Sequence, residues 1–139
     1  MYELRNAVAA DYKEINDVSE HLDYTKLSLV EAEAKLNQLL VSEIDFVYVA
    51  TVQGRVVAWL HAFKAQRLAS PDFIEIAGLV VCPEHRDQGL GRKLVDRVTL
   101  NNPGKLRVRC NEKRSDAHKF YESIGFQPNK SQRVFERNT

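Results

Sequence analysis

Between Phe73 and Cys82 the chain reads Phe-Ile-Glu-Ile-Ala-Gly-Leu-Val-Val-Cys, and Glu75 is its one charged side chain. Burial in an apolar run disfavours the charged form of a carboxyl, which suits a proton acceptor. A strand glutamate can equally be structural. Regular strand alternation puts Glu75 on the face of Leu79 and Val81, and a bulge would reverse that. Pro83 ends the run, and Arg86-Asp87-Gln88-Gly89-Leu90-Gly91-Arg92-Lys93 follows. A strand, a glycine loop and a helix start make an anion site, because unpaired amides and the helix dipole converge there. Gly89 and Gly91 allow close backbone approach. Arg86, Arg92 and Lys93 can add charge-assisted bonds, although Arg86 can instead brace the loop. The spacing is not that of a P-loop, and Leu94 stands where a dinucleotide fingerprint needs its third glycine. Tyr121, beside Phe120 and one turn after Ala117, can simply be core. Cys82 has no base near it in sequence, and with Cys110 it reads as a buried free thiol. His61, His85 and His118 lack metal-ligand spacing, so no metal is expected.

The arrangement Arg86-x-x-Gly89-x-Gly91 after an apolar strand resembles the acetyl-CoA-binding motif of the GNAT superfamily of N-acetyltransferases. A second motif follows in order: Asn111, then Ala117-His118-Lys119-Phe120-Tyr121 before Gly125-Phe126. The resemblance covers residues 73–126. It implies that backbone amides of Gln88 to Arg92 cradle the coenzyme A pyrophosphate. It assigns coenzyme contacts to Leu79, Val81, Arg86, Gln88, Gly89, Leu90, Gly91, Arg92, Asn111 and Phe120. Glu75 falls where the histone acetyltransferase branch carries its catalytic glutamate. Tyr121 matches the tyrosine that protonates the departing thiolate. By the same analogy Asp23 and Tyr24 line the acceptor pocket.

Positioning these residues requires a particular run of elements. Tyr2 to Val8 reads as a strand. Asp11 with Glu14 is read as a cap for a helix bearing Ile15, Val18 and Leu22. Ser28 with Glu31 forms a capping box for a helix with Ala32, Leu36, Leu39 and Leu40 on its face. Phe46–Val52 and Arg55–Phe63 form a hairpin about Gln53-Gly54, and Leu68 to Asp72 make the next turn. Leu90, Leu94, Val95 and Val98 mark a helix ending near Asn101-Asn102-Pro103-Gly104. Leu106–Cys110 is a strand, and Ser115 caps a helix ended by Gly125. Phe126 and Gln132–Phe135 suggest a closing pair of strands. The expected fold is α/β (α+β): a mixed, mostly antiparallel sheet of six to seven strands flanked by about four helices, in one domain over 1–139.

Composition agrees with a globular chain, at 44% hydrophobic and 28% charged residues over 139 positions. Net charge is +1, which argues against a general nucleic-acid binder. Residues 1–75 carry net −5 and residues 76–139 net +6, suiting a cationic co-substrate and a polyanionic cofactor respectively. No membrane span or signal peptide is read, so a cytoplasmic location is expected. The function that follows is acetyl transfer from acetyl-CoA to a primary amine, with a small cationic acceptor preferred and a peptide or protein amine as alternative. A homodimer is left open. The rivals are a non-catalytic acyl-CoA-binding module and a nucleotide-phosphate binder.

Overall fold

The computed structural model describes residues 1–22 and 26–139, which divide into two compact units, Met1–Val108 and Arg109–Thr139. The first unit is built on a sheet of β1 (Tyr2–Asn6), β2 (Asp45–Val52), β3 (Arg55–Arg67), β4 (Ser70–Val81) and β5 (Leu106–Val108), in the order β1-β2-β3-β4-β5. Neighbours are antiparallel except β4 and β5, which run parallel through Ile74–Leu106, Glu75–Arg107 and Ile76–Val108. Helices α1 (Tyr12–Ser19), α2 (Leu29–Val41) and α3 (Leu90–Asn101) belong to this unit, and α4 (Ser115–Ser123) to the second.

The sheet is buried on two sides by side chains that its alternation separates. Val47, Val49, Val56, Trp59 and Val80 pack with Val18 and Leu36 from α1 and α2. On α3, Leu90, Leu94, Val95 and Val98 are buried, and Asn101 Nδ2 donates to the Tyr48 hydroxyl at 3.3 Å. Tyr48 lies between Val47 and Val49 in sequence, so α3 covers the opposite face. Each fully buried leucine or valine contributes about 1.5–3 kcal/mol.

Several local readings need correction. The expected sheet of six to seven strands has five among the described residues, because 126–139 forms neither of the two closing strands. Val134 and Phe135 are exposed, so the alternation of that segment buries no face, and without burial a strand gains little. The hairpin between β3 and β4 turns on Leu68-Ala69 alone, and Pro71 lies inside β4 near its exposed start, a position a strand tolerates. Asp11 does not cap α1 through its side chain. It is buried and accepts from Arg5 Nη1 at 2.8 Å, Arg5 Nη2 at 3.0 Å and the Val8 amide at 2.8 Å. Glu14 reaches across to accept the Val56 amide at 2.6 Å. Ser115 is the first residue of α4 and not its cap.

Other signals are realised as read. Ser28 and Glu31 exchange bonds at 3.2 Å each. At the end of α4, Gly125 has φ +102°, Phe126 N–H reaches Tyr121 O at 3.0 Å and Gly125 N–H reaches Glu122 O at 3.2 Å. That is the paired-bond helix stop that glycine permits. The Tyr121 and Phe126 rings meet across it at 5.3 Å.

Burial acts to raise the Asp11 carboxyl, but the bonds from Arg5 and Val8 outweigh it and hold it below its ordinary value of 3.8. A depressed folded value stabilises above the unfolded one, and the stabilisation is lost as pH falls through the folded value. Asp11→Asn is therefore expected to lower stability by about 1–2 kcal/mol at pH 7, a figure moderated by water at the partly exposed Arg5 end. In urea melts the difference from the parent chain should shrink towards zero as the pH falls past the carboxyl's ordinary value of 3.8 and through its lower folded value.

Candidate active site

The bulge in β4 decides where Glu75 points. Along β3 the partners of Trp59, Leu60 and His61 are Val80, Leu79 and Gly78, but Ala62 pairs with Ile76 and Phe63 with Glu75. Ala77 is the extra residue and is exposed. Trp59, His61 and Phe63 share one face by alternation, so Glu75 shares it with Gly78 and Val80. The regular-strand expectation, with Glu75 on the face of Leu79 and Val81, is reversed.

Glu75 is buried, and its Oε1 accepts from Arg107 Nη2 at 3.0 Å and Nε at 3.2 Å. The same guanidinium lies 4.2 Å from the Phe73 ring centroid, with Arg67 at 5.6 Å from that ring, within the range of cation–π attraction. The carboxylate is thus not the isolated charge that the sequence suggested. Arg107 could not be matched to it beforehand, because a three-residue strand carries too little pattern to fix its register.

Leu79 and Val81 lie where the sheet is open. Pairing between β4 and β5 stops at Ile76–Val108, so Ala77 to Val81 have no strand partner on that side among the described residues. The Cys82 amide donates to Val57 O at 2.9 Å, towards β3. Alternation then directs the backbone groups of Val81 and Leu79 to the open edge. Val81 O already accepts from Arg86 Nε at 3.3 Å, so Arg86 braces the loop, one of the two roles read for it.

Pro83–His85 forms one turn of 3-10 helix, and the His85 ring meets Tyr2 through a 2.9 Å bond between Nδ1 and the hydroxyl. This ties the loop to β1. Asp87 has φ +61°, and Gly89, at φ +77°, is the N-cap of α3 with no side-chain cap. The amides of Leu90, Gly91 and Arg92 therefore start α3 without intrahelical partners, while Lys93 N–H already bonds Gly89 O at 3.0 Å. Gln88 and Arg92 are exposed, and Leu90 and Gly91 are buried against the sheet. Arg92 is 4.0 Å from Asp96 in an exposed pair of little strength.

In the second unit Asn111 shapes the turn before α4: its Oδ1 accepts the Lys113 amide at 2.9 Å, and its carbonyl takes His118 Nε2 at 2.9 Å. Phe120 and Tyr121 are half-buried with ring centroids 5.0 Å apart. Asp23 and Tyr24 lie outside the described residues. Burial pushes both the Cys82 and the Cys110 thiols up, which keeps them protonated and poorly nucleophilic. No cluster of three or more His, Cys, Asp or Glu side chains able to hold a metal stands among the described residues. No helix among them is long and apolar enough to cross a membrane.

This chain belongs to the GNAT acetyltransferase family: residues 43–128, more than half its length, match the family's domain. The fold matches an aminoglycoside antibiotic 6'-N-acetyltransferase from Acinetobacter haemolyticus with a TM-score of 0.84, at 17% identity over 99% of each chain. It matches a putative acetyltransferase from Agrobacterium tumefaciens with a TM-score of 0.86, at 24% identity over 97% of this chain and 99% of that one. A third match is the aminoglycoside acetyltransferase AAC(6')-Iy in complex with the bisubstrate analogue CoA-S-monomethyl-acetylneamine, with a TM-score of 0.84 and 13% identity over 100% and 99% of the chains. At these identities the likeness is one of fold. Sequence comparison with curated proteins gives no match.

Gly89 tests the loop on its own. A Cβ there would meet nothing within 4 Å, so Gly89→Ala costs only the left-handed backbone strain, about 1–2 kcal/mol. A thermal melt should fall by a few degrees, with the far-UV spectrum unchanged.

Proposed function

We propose that this chain transfers an acetyl group from acetyl-CoA to the primary amine of a small cationic acceptor, directly and within a ternary complex. One observation carries the reading: an unpaired strand edge, with Leu79 and Val81 facing out, leads straight into a loop and an uncapped helix start. The edge suits an amide-bearing chain lying alongside it, and the helix start suits phosphate oxygens a few residues further on. The coenzyme's arm and its pyrophosphate have that chemistry in that order, so the residues fit it.

In this reading the amides of Gln88 to Arg92 hold the pyrophosphate, with charge from Arg92 and Lys93. The outward backbone amide of Val81 polarises the thioester carbonyl, and that of Leu79 holds the arm beside it. Asn111 and Phe120 take the coenzyme contacts that the family resemblance assigns to them. Glu75, held by Arg107, orders the water through which the acceptor ammonium's proton leaves. The ammonium must lose a proton before attack. The amine nitrogen then bonds to the carbonyl carbon and sheds its second proton to solvent, the carbon–sulfur bond breaks, and Tyr121 gives its proton to the departing thiolate. Net −5 over residues 1–75 favours a cationic acceptor, as does the acetylneamine part of the analogue bound by the structural relative.

A thiol-release assay with acetyl-CoA across small amines, aminoglycosides and peptides tests the reading. Release is expected with small polyamine-like acceptors, and release only with peptides would replace the acceptor class. Calorimetric binding of acetyl-CoA with no release from any amine would instead support the non-catalytic module. Tyr121→Phe should cut turnover about 100-fold while leaving acetyl-CoA affinity within a factor of two; undiminished turnover removes Tyr121 from the reaction.

A further inference from the structure

The face that carries Glu75 holds a second proton-handling group. His61 Nε2 lies 2.7 Å from Asp45 Oδ1, and Ser42 Oγ donates to Asp45 Oδ2 at 2.7 Å. Both oxygens of Asp45 are therefore engaged, and the carboxylate is fixed at the start of β2. An ionised carboxylate only accepts hydrogen bonds, so Nε2 carries the ring proton and Nδ1 is left as the basic nitrogen. Nδ1 has no hydrogen-bond partner among the described residues. The two side chains are 23% and 17% exposed, shielded from bulk water yet reachable.

Register puts this pair beside the reaction edge. His61 stands opposite Gly78, which presents no side chain on that face and directly precedes Leu79. Glu75 stands opposite Phe63, the next residue on the same face of β3. Among the described residues the neighbouring charges are engaged elsewhere. Glu75 is paired with Arg107. On α1 and the turn after it, Glu14 is taken by the Val56 amide, and Asp17 and Glu20 are taken by Lys26, while His21 is exposed. The charged residues of α2 are exposed. Among the described residues Asp45 is the one charged group bonded to His61.

We propose that His61, oriented by Asp45, is the proton acceptor for the amine, a step that rests on the acetyl-transfer reading above. The Nδ1 lone pair takes one proton from the acceptor ammonium, directly or through one water. The freed amine lone pair forms the new bond to carbon. Asp45 stabilises the imidazolium, which returns its proton to solvent after the product leaves. As the tetrahedral adduct collapses to the amide, the nitrogen sheds its second proton to solvent and the carbon–sulfur bond breaks; Tyr121 protonates the thiolate and recovers its own proton from solvent. This is the same division of labour by which a carboxylate holds an imidazole in one tautomer in acyl-transfer triads.

The test compares the parent chain with H61Q and D45N in thiol release over pH 6–9, using acetyl-CoA and the most reactive amine of the panel. Acetyl-CoA affinity is followed in parallel by calorimetry. H61Q is expected to lose about 100-fold in kcat at pH 7 with acetyl-CoA affinity within twofold. The loss should shrink as pH rises, because solution then supplies the neutral amine. D45N should fall in the same direction by a smaller factor, and it decides the matter alone if H61Q does not fold. A kcat for either folded variant within about twofold of the parent overturns the proposal, as does a loss in H61Q that is constant with pH. No thiol release from the parent chain with any amine overturns the acetyl-transfer reading itself, and the role of His61 with it.

Discussion

One extra residue in β4 sets the geometry that the rest of the first unit uses. A regular strand from Phe73 to Val81 would turn Glu75 towards α3, among Leu90, Leu94 and Val98, where no cation among the described residues is buried to meet it. An unpaired carboxylate in such a place costs several kcal/mol or takes up a proton. With Ala77 looped out, Glu75 lies on the other face and meets Arg107. A bulge also strengthens local twist and disturbs the ladder, and beyond it β5 no longer follows β4. The charge pair and the open edge thus share one cause.

The open edge changes what the loop after it can do. Backbone groups left unpaired at a sheet edge invite another strand, and proteins usually blunt such edges. Here the edge is short, and Arg86 already occupies the Val81 carbonyl. The chain then turns through Pro83–His85, pinned to β1 by the Tyr2–His85 bond, and enters α3 through a left-handed glycine. Unsatisfied donors therefore stand in series along one path, first on the strand and then on the helix start. A ligand that binds this path must carry acceptors along an extended arm and negative charge at its far end, which limits the choice more strongly than either feature alone.

Much of this was legible in the sequence because it is local. The capping box at Ser28, the glycine stop at Gly125 and the helix face of Leu90, Leu94 and Val98 each depend on residues within one or two turns. The motif Arg86-x-x-Gly89-x-Gly91 is local too, and it led to the family. What could not be read is non-local. The parity of Glu75 depends on a bulge specified by how β3 and β4 pair, and Arg107 meets it only through the register of a three-residue strand. Asp11 was misread for the same reason: a cap and an ion-pair partner look alike until Arg5 is known to be beside it. The closing strands at 126–139 failed differently, since an alternating pattern marks a strand only when one of its faces is buried.

The His61–Asp45 pair belongs to this non-local class, and its place at the margin of the core sharpens its meaning. Apart from the Glu75–Arg107 pair, the α1/α2 face of the sheet is packed largely with apolar side chains such as Val47, Val49, Trp59 and Val80. A histidine and an aspartate at this point cost desolvation that Val or Leu would avoid, and an interior pair of this kind is weak evidence of stabilisation. Nothing in the packing requires it: Asp45 opens β2, where Ser42 could end α2 without it. The pair makes better sense as a group kept for chemistry, set opposite a glycine and beside an open edge. On that argument the β3 side of the sheet handles the acceptor's proton, and the β4 edge holds the acyl donor.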